Sequence, residues 1–553
     1  MNWKISFVPK ESDTKNRHLE IISAIAKNRG IHKSRWKDFI SPPHPHKIGL
    51  KNSGVKIKEA DKAISLINKY NNPDFPIVVF GDYDADGITS TAIIWETLTA
   101  LGIKSMPFIP NRAKHGYGLS IAGLKEVIKT HNPKLIITVD NGVTAIEETE
   151  WAQKRGIKIV IIDHHELTEQ THPADALVHT VQLAAAGLSW MFADYLIHKF
   201  DKQKTVSPAL ELAAIGTVAD QVPLIGPNRS IAKHGIEALR KSKRLGILSL
   251  SSASGLNQAN LTTYNIGYHL APRLNAKGRL EEAIDSLRLL CTNNVIKAEE
   301  LTKTLSAANS KRQDLTVQLT EKAKSLINDK NLPSAIILAD ENFHEGIIGL
   351  IAGKMVQEFW RPSIILNRQK KFSKGSGRSI PGFNLIEALR QTEHLLEGVG
   401  GHPMAAGFTI KTENIPEFSR TFNKIAAEKL SPEILSRNLA IDAQILFSDI
   451  TYELLIALEE FHPLGIGNQT PVFASEKVQI RQLKKVGKEQ QHLKLSLEKG
   501  GEVFSAIGFN LGNKVEDIKI GDWVSIAFTP EINSWNGRSQ IELKLRDIKF
   551  ENY

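Results

Sequence analysis

The sequence has one cysteine, Cys291, among 553 residues. A single thiol excludes a disulfide framework and a cysteine-rich metal site, as expected for a protein of a reducing compartment. Because Cys291 ends the apolar run 289–291, we interpret it as a packing residue and not as a nucleophile. Long apolar runs are also missing, since the longest, such as 157–162, have the length of a strand. With no apolar signal-peptide core near the N-terminus, we expect a cytoplasmic protein without a membrane span.

Charge is only modestly unbalanced. Seventy Lys and Arg residues against sixty Asp and Glu give a formal net charge of +10, which is compatible with a polyanionic partner but does not require one. Six basic residues and no acidic residue lie between 361 and 386, and a second basic cluster occupies 240–244. Such runs are most often solvated faces. The sequence lacks a Gly-x4-Gly-Lys-Ser/Thr phosphate loop, so nothing supports a nucleotide-driven motor.

The length allows two to four domains. From about 76 to 220, the Val/Ile-rich runs 77–80, 135–139 and 157–162 alternate with helical patterns, which predicts a parallel sheet of βαβ units. A stretch without Gly or Pro predicts one long helix over 295–329, and a strand at 334–338 begins a second α/β region. Five short C-terminal runs predict a small barrel or sandwich; they are 478–483, 492–497, 503–507, 523–529 and 540–545.

Acidic and imidazole side chains follow each of the first three predicted strands directly. They are Asp82, Asp84 and Asp86 after the first, Asp140 after the second, and Asp163, His164 and His165 after the third; Asp220 follows the helical run 208–215. Because ligands bind at the carboxyl edge of an open parallel sheet, we expect these groups to converge. Aspartate and histidine without cysteine suit Mn²⁺ or Mg²⁺, and a pair of such ions would relieve the repulsion between the carboxylates. The sequence therefore predicts a two-cation site.

These segments resemble, in order and spacing, the four motifs of the DHH phosphoesterase superfamily, and 400–407 (GGHPMAAG) resembles the glycine-rich motif of the companion DHHA1 domain. More narrowly, the chain resembles the RecJ family of bacterial single-strand-specific 5′-to-3′ DNA exonucleases from about residue 17 to the C-terminus. The motifs that carry this resemblance are 110–112 (PNR) with 116–118 (GYG), 272–276 (PRLNA) with 278–279 (GR), 375–379 (GSGRS) and 463–468 (PLGIGN).

The resemblance implies an α/β fold class: a parallel-sheet DHH domain, a long connecting helix, a second α/β DHHA1 domain and a C-terminal all-β OB-fold. We expect the following parts: an N-terminal region 1–75, the DHH catalytic domain 76–280, connecting helices 281–330, the DHHA1 domain 331–434 and an OB-fold nucleic-acid-binding domain 435–553. Three places depart from the family pattern, and the first is the segment 50–55 in the N-terminal region. The loop 166–187 lacks the usual Asn-Pro stretch, and Glu345 replaces the expected Pro or small residue beside His344, so His344 is given no role.

The resemblance also assigns roles to residues. As metal ligands it implies Asp84, Asp86, Asp140, His164 and Asp220, with Asp140 between the two ions. As catalytic residues it implies Asp82 at the edge of the ligand set, Asp163 as an orienting group, and His165 as a contact to the scissile phosphate. As substrate-binding residues it implies Arg112, Arg279, Arg378 and Ser379, which would hold the terminal 5′ phosphate, and His402, which would contact DNA.

The implied enzyme is a metal-dependent exodeoxyribonuclease. It would hydrolyse single-stranded DNA from the 5′ end to 5′-mononucleotides with two Mn²⁺ or Mg²⁺ ions, in recombination and repair. One alternative is a DHH-type phosphodiesterase acting on short RNA or cyclic dinucleotides, and another is a binding module without activity. The length and the C-terminal strands favour DNA, and the complete set of acidic ligands favours an enzyme. Implied partners are single-stranded DNA with a 5′ phosphate, single-strand-binding protein and a RecQ-type helicase, and we expect a monomer.

Overall fold

The computed structural model describes residues 1–9, 17–116, 118–167, 170–328, 331–535 and 538–550. The chain divides into two compact units. The larger unit comprises Trp3–Leu274, Ala283–Thr302 and Leu439–Tyr553, and the smaller unit comprises Met1–Asn2, Asn275–Glu282 and Lys303–Asn438. Within the described part of the chain, we find no helix with both the length and the apolar character needed to cross a membrane.

A five-stranded parallel sheet lies in the larger unit. Its strands are, in spatial order, Ser105–Phe108, Ile77–Phe80, Leu135–Val139, Lys158–Asp163 and Ala176–His179. The three central strands are almost wholly buried, which explains their continuous apolar sequences. Two of them have the predicted bounds, and the third is displaced by one residue and ends on Asp163. The two edge strands carry weaker patterns and were not predicted.

Helices surround this sheet and form most of the larger unit before its C-terminal barrel. Those before the C-terminal barrel are Arg17–Asn28, Trp36–Ile40, Pro45–Asn52, Ile57–Lys69, Ala85–Ala100, Arg112–His115, Ile121–His131, Ile146–Gln153, Ala185–Lys199, Leu210–Ala219, Gly226–Lys241, Leu245–Ala253, Thr263–Asn265 and Ile284–Cys291. Three of these helices, Ala85–Ala100, Ala185–Lys199 and Leu210–Ala219, pack against one another. Each is largely buried, as their uniformly apolar sequences require. Candidate functional groups lie at the N-terminal ends of the first two helices and directly after the C-terminal end of the third.

The basic cluster 240–244 is not simply a solvated face. The guanidinium of Arg244 donates to both carboxylate oxygens of Glu96, at 2.7 and 2.9 Å, and Arg240 donates from Nε to the carbonyl of Leu261 at 2.9 Å. Burial and the nearby Glu96 raise the pKa of the Cys291 thiol well above its usual value. This favours the interpretation of Cys291 as a packing residue, because a nucleophilic cysteine needs an accessible thiolate.

A single helix of 31 residues, Val295–Ser325, begins where the long helix was predicted, ends four residues before the predicted end and spans about 46 Å at about 1.5 Å per residue. Its predicted last residue, Asp329, lies outside the described residues. Residues 295–302 of the helix belong to the larger unit, and residues 303–325 belong to the smaller unit. Its sequence, rich in Ala, Leu, Lys and Glu, has the high helix propensity such a length needs.

The smaller unit contains a mixed five-stranded sheet. Its strands are, in spatial order, Leu396–His402, Ala405–Lys411, Phe372–Arg378, Ser363–Asn367 and Ile336–Asp340, and only the last two pair in parallel. The associated helices are Ile348–Phe359, Leu385–Arg390, Ile415–Lys429 and Pro432–Leu435, and Ala271–Leu280 contributes its second half. Phe408, Phe418 and Phe422 form part of its apolar core. This is the second α/β region that the sequence predicts.

A closed all-β barrel forms the C-terminal part of the larger unit. Its strands are Ala443–Gln444, Phe473–Val486, His492–Lys499, Glu502–Gly508, Trp523–Trp535 and Arg538–Phe550, with the helix Tyr452–Glu459 before the second strand. Pairing between Phe473–Val486 and Trp523–Trp535 closes the sheet on itself. The barrel confirms the last part of the predicted fold class. Phe528 is buried in its core, whereas Trp523 and Phe509 are exposed.

Candidate metal centre

The start of the helix Ala85–Ala100 fixes the first acidic segment. Asp84 caps this helix, since its Oδ1 accepts hydrogen bonds from the backbone N–H groups of Asp86 and Gly87, both at 3.0 Å. The Oδ1 of Asp82 accepts from the N–H of Tyr83 at 2.8 Å. A Cβ on Gly87 would lie 2.6 Å from the backbone nitrogen of Asp82, so only glycine allows this close approach. Asp82 and Asp86 are each 1% exposed.

Asp86 is held by the N-terminus of a second helix. Its two carboxylate oxygens accept hydrogen bonds from the backbone N–H groups of Ala185 and Ala186, at 2.9 and 2.8 Å, in the first turn of Ala185–Lys199. The positive end of a helix dipole favours an anion at this position. No role was predicted for these alanines, because they act through their backbone N–H groups and carry no functional side chain. The only available signal was that a helix begins there.

Asp140 has a left-handed backbone conformation, with φ of +62°, directly after the strand Leu135–Val139. Its N–H donates to the carbonyl of Ile162 at 3.1 Å, and the side chain of Asn141 donates to the carbonyl of Val139 at 2.8 Å. Positive φ is uncommon for a residue other than glycine and is often found at functional sites. The turn keeps the Asp140 carboxylate buried at the sheet edge.

His164 joins groups from three different segments. Its Nε2 lies 3.3 Å from Oδ1 of Asp140, 3.7 Å from Oδ2 of Asp220 and 3.9 Å from Oδ2 of Asp86. Asp220 follows the last residue of the helix Leu210–Ala219, and its N–H donates to the carbonyl of Gly216 at 2.9 Å. The predicted ligands therefore converge at one edge of the sheet.

Potential ligand atoms of these residues form three overlapping groups, within each of which all atoms lie no more than 4.8 Å apart. The groups are Asp82, Asp84 and Asp140; Asp86, His164 and Asp220; and Asp140, Asp163, His164 and His165. Asp140 shares one group with Asp82 and Asp84 and another with His164. Asp140 therefore lies between the first acidic segment and His164, where one carboxylate could bind two cations.

The electrostatics of the centre require positive charge. Burial, followed by repulsion from Asp84, raises the pKa of Asp82 to about 8 and that of Asp86 to about 7. Burial, followed by repulsion from Asp86, raises the pKa of Asp220 to about 9 and that of Asp140 well above its usual value. Carboxylates this close ionise together only when cations neutralise them, and oxygen and imidazole ligands suit Mn²⁺ and Mg²⁺. The residues fit a pair of divalent cations.

Asp163 and His165 form an ion pair beside this centre, with 2.7 Å between Oδ1 of Asp163 and Nδ1 of His165. The other Asp163 oxygen accepts from the N–H of Val143 at 3.1 Å. Burial alone would lower the pKa of His165, but the hydrogen bond and charge of Asp163 outweigh it and raise the pKa to about 9. The same pairing outweighs burial at Asp163 and leaves its pKa below the usual value. The pairing with Asp163 therefore favours the protonated form of the His165 ring at neutral pH.

Arg112 lies on the same side of the larger unit as the metal centre. Its guanidinium carbon is 5.5 Å from the centre of the Tyr83 ring, and its charge is among the influences that lower the pKa of Asp82. Both observations place the positively charged guanidinium of Arg112 near the first acidic segment. Tyr117, in the middle of the 116–118 motif, lies outside the described residues.

In the smaller unit, Arg279 and Arg378 both approach the start of the helix Ile348–Phe359. Nη1 of Arg279 is 3.4 Å from the carbonyl oxygen of Gly346, and a Cβ on Gly349 would lie 2.9 Å from Nη2 of Arg378. Burial lowers the pKa of Arg378, whose Nη1 also donates to the carbonyl of Gly377 at 2.8 Å. Two guanidinium groups and a helix N-terminus are suitable donors for a phosphate. No role was predicted for Gly346 or Gly349.

Ser379, His402 and His344 differ in their surroundings. Ser379 is 4% exposed, its hydroxyl donates to the carbonyl of Phe383 at 2.7 Å, and its N–H donates to the carbonyl of Met404. His402 is exposed at the end of the strand Leu396–His402. The Nδ1 of His344 accepts from the N–H of Gly346 at 3.0 Å, which gives this histidine a structural partner in the helix-start turn. Substrate contacts for Ser379 and His402 stay predictions.

Comparison with known proteins agrees with this architecture. The sequence matches the DHH family N-terminal domain over residues 76–217, the DHHA1 domain over 332–428 and the RecJ OB domain over 441–547. It is 35% identical to the single-stranded-DNA-specific exonuclease RecJ of Bacillus subtilis strain 168, over 90% of this chain and 63% of that protein. It is 31% identical to the Haemophilus influenzae protein of the same name, over 87% of this chain and 89% of that protein.

A solved structure extends the likeness to three dimensions. RecJ from Thermus thermophilus in complex with Mn²⁺ superposes with a TM-score of 0.83 at 27% identity, over 100% of this chain and 80% of that chain. The same protein in complex with Mg²⁺ gives a TM-score of 0.78. Fold and site together define a DHH-type metal-dependent phosphoesterase. More narrowly, the chain belongs to the RecJ family, and the predicted resemblance and fold class are confirmed.

Proposed function

We propose that this chain is a single-stranded-DNA-specific exonuclease that hydrolyses phosphodiester bonds from the 5′ end and releases 5′-mononucleotides. The observation that carries the proposal is the position of the Asp140 carboxylate, shared by two groups of close ligand atoms at the sheet edge. Family membership supports the substrate, because the Bacillus and Haemophilus relatives are named for that activity.

The proposed ligands of the two cations are Asp84, Asp86, Asp140, His164 and Asp220, with Asp82 at the edge of the set. When bound, the cations would activate water for attack on phosphorus and neutralise the developing charge. The chain itself orients this centre: the amides of Ala185 and Ala186 hold Asp86, and the helix start holds Asp84. His165, protonated and held by Asp163, supplies a positive N–H to a non-bridging phosphate oxygen.

The preference for a 5′ end rests on the basic groups. We assign Arg279 and Arg378, together with the backbone of the helix start at 346–349, to the terminal 5′ phosphate. Arg112 would bind phosphate beside the metal centre, where its charge already acts on Asp82. The exposed aromatics of the barrel, Trp523 and Phe509, are available for stacking on bases in a sequence-tolerant way.

The test is a time course with purified protein and Mn²⁺ on a 3′-labelled single-stranded DNA oligonucleotide. The matched substrates are the same strand with a 5′ hydroxyl, its duplex, an RNA of equal sequence and a cyclic dinucleotide. We expect a ladder that shortens from the 5′ end of the single-stranded DNA and the release of mononucleotides. Hydrolysis of the RNA or the cyclic dinucleotide with intact DNA would overturn the proposal and favour a phosphodiesterase of small substrates, whereas binding without hydrolysis would indicate a binding module.

The cellular setting belongs to the same proposal. We place the protein in the cytoplasm as a monomer acting in recombination and repair, with a RecQ-type helicase that exposes single strands and a single-strand-binding protein that coats them. Its two ions would be Mn²⁺ or Mg²⁺, both of which are bound in structures of the Thermus relative. Co-purification of a helicase or a single-strand-binding protein with the tagged chain from its own host, resistant to nuclease, tests the partners.

A further inference from the structure

A second group of metal-ligating side chains lies in the larger unit, apart from the metal centre in sequence. It consists of His46, Asp194 and His198, whose potential ligand atoms lie within 4.8 Å of one another. We propose that these three residues bind a Zn²⁺ ion that fastens the segment 42–46 to the helix Ala185–Lys199. None of the three belongs to the four DHH motifs, so the proposed site is independent of the exonuclease function.

The helix supplies two of the ligands with the required spacing. Asp194 and His198 are four residues apart in Ala185–Lys199, so their side chains project from the same face. His46, in the first turn of the helix Pro45–Asn52, lies opposite them. Its ring is stacked near the ring of His198, with 4.8 Å between centroids and an interplanar angle of 29°.

The contact between His46 and Asp194 shows that the two segments already meet. Nδ1 of His46 lies 2.8 Å from Oδ2 of Asp194, with the side chains 48% and 19% exposed. An ordinary ion pair would explain the contact between His46 and Asp194. It would not explain why a second imidazole, that of His198, also lies within 4.8 Å of both. Two imidazoles and one carboxylate are a common zinc ligand set, with the fourth position open to water.

The site is accessible to an ion from solvent. His46, Asp194 and His198 line an open cavity of about 300 Å³ together with His44 and Trp190. His44 is tied to the same segment, because its Nδ1 accepts a hydrogen bond from the N–H of His46 at 3.3 Å. Borderline nitrogen ligands distinguish this site from the carboxylate-rich centre and favour Zn²⁺ over Mg²⁺ or Mn²⁺.

Zinc at this position would act on the helix that also holds Asp86. Asp194 is eight residues beyond Ala186, about 12 Å along the axis at about 1.5 Å per residue. A clamp at the C-terminal end would therefore stabilise the helix without touching the DNA-hydrolysing residues.

The test measures bound zinc in four proteins: the wild type, His198→Ala, Asp194→Asn and the control His394→Ala, whose histidine is exposed in the smaller unit. After chelator treatment, each is dialysed against buffered free Zn²⁺ and its metal content is measured by mass spectrometry. We expect His198→Ala and Asp194→Asn to lose one zinc per chain relative to the wild type and His394→Ala to lose none. Equal zinc content in all four proteins would overturn the proposal.

Two further readouts separate this site from the metal centre and from misfolding. Anomalous diffraction at the zinc edge should show a peak between His46 and His198; density only at Asp140 would overturn the proposal. Addition of Zn²⁺ should raise the melting temperature of the wild type more than that of His198→Ala, while the zinc-free proteins should melt alike, since the side chain is only partly buried. An equal rise in both would also contradict the clamp.

Discussion

Nε2 of His164 lies 3.3 Å from Oδ1 of Asp140. The two residues follow neighbouring parallel strands whose register pairs Val139 with Ile162. Because side chains alternate faces along a strand, a slip of one residue in this pairing would turn the following side chains to the opposite face. The contact therefore depends on the register of two buried strands whose residues are mostly apolar.

Replacing Asp140 by asparagine should abolish hydrolysis and leave DNA binding intact. The substitution keeps the shape of the side chain but removes the charge that we assign to both cations. Because even a residue that only supports a metal ligand changes activity by about 10- to 100-fold, we expect kcat to fall by more than about 100-fold. The measurement is the initial rate on 3′-labelled single-stranded DNA, with binding measured by fluorescence anisotropy.

The control for this variant is Asp74→Asn, which changes an exposed aspartate of the same unit. It should retain wild-type rate and binding. An Asp140→Asn protein that is folded and hydrolyses DNA within a few-fold of the wild-type rate would contradict the assignment of Asp140. Equal loss of binding and hydrolysis would show instead that this carboxylate also organises the DNA site.

Asp163→Asn should change the pH dependence of hydrolysis. Asp163 raises the pKa of His165, which favours the protonated ring at neutral pH, and the ring loses its proton at alkaline pH. Without the carboxylate, the pKa should fall toward its ordinary value, and the loss of activity at alkaline pH should begin at lower pH. The measurement is kcat/KM against pH at saturating Mg²⁺. An unchanged profile with a uniformly lower rate would assign Asp163 a purely structural role.

The convergence of the candidate metal ligands could be predicted from the sequence, whereas the backbone groups that hold them could not. The proximity of Asp84, Asp140 and His164 was predictable, because each follows a strand with a clear apolar pattern, predicted at 77–80, 135–139 and 157–162. Ala185 and Ala186 were not, since a backbone N–H has no signature in the sequence. A role for Arg378 was predicted only from the family resemblance. Its proximity to Gly349 depends on the packing of the strand Phe372–Arg378 against the helix Ile348–Phe359. Edge strand Ala176–His179 was missed because its alternating burial gives a weak pattern.

Divalent cations should stabilise the protein more as pH rises. Without cations, Asp82, Asp86 and Asp220 have pKa values of about 8, 7 and 9, well above their unfolded values. Between about pH 4 and 9, the folded state therefore holds more protons than the unfolded state, and the free energy of unfolding falls as pH rises. Mg²⁺ replaces these protons, so its stabilising effect should increase with pH.

Melting temperatures with EDTA and with Mg²⁺ at pH 6, 7 and 8 measure this effect. We expect the difference between the two conditions to grow at each step. A difference that stays constant or shrinks with pH would mean that the carboxylates are already ionised in the metal-free protein. Asp140→Asn should show a smaller difference at every pH, because it removes one of the charges that repel.

Gly216→Ala should destabilise the protein and weaken the metal centre, although glycine is the poorer helix former. A Cβ on Gly216 would lie 2.5 Å from Oδ1 of Asp86 and would also overlap Ala186 and Thr89. Overpacking of this kind costs about 1–3 kcal/mol. Displacement of Asp86 should also raise the concentration of Mn²⁺ needed for half-maximal hydrolysis.

The matched control is Gly353→Ala, also within a helix but with open space around its Cα. It should be neutral or stabilise by up to about 1 kcal/mol. If both variants unfold at the same denaturant concentration and need the same Mn²⁺, then the close packing of the helix Leu210–Ala219 on Asp86 does not set the geometry of the centre.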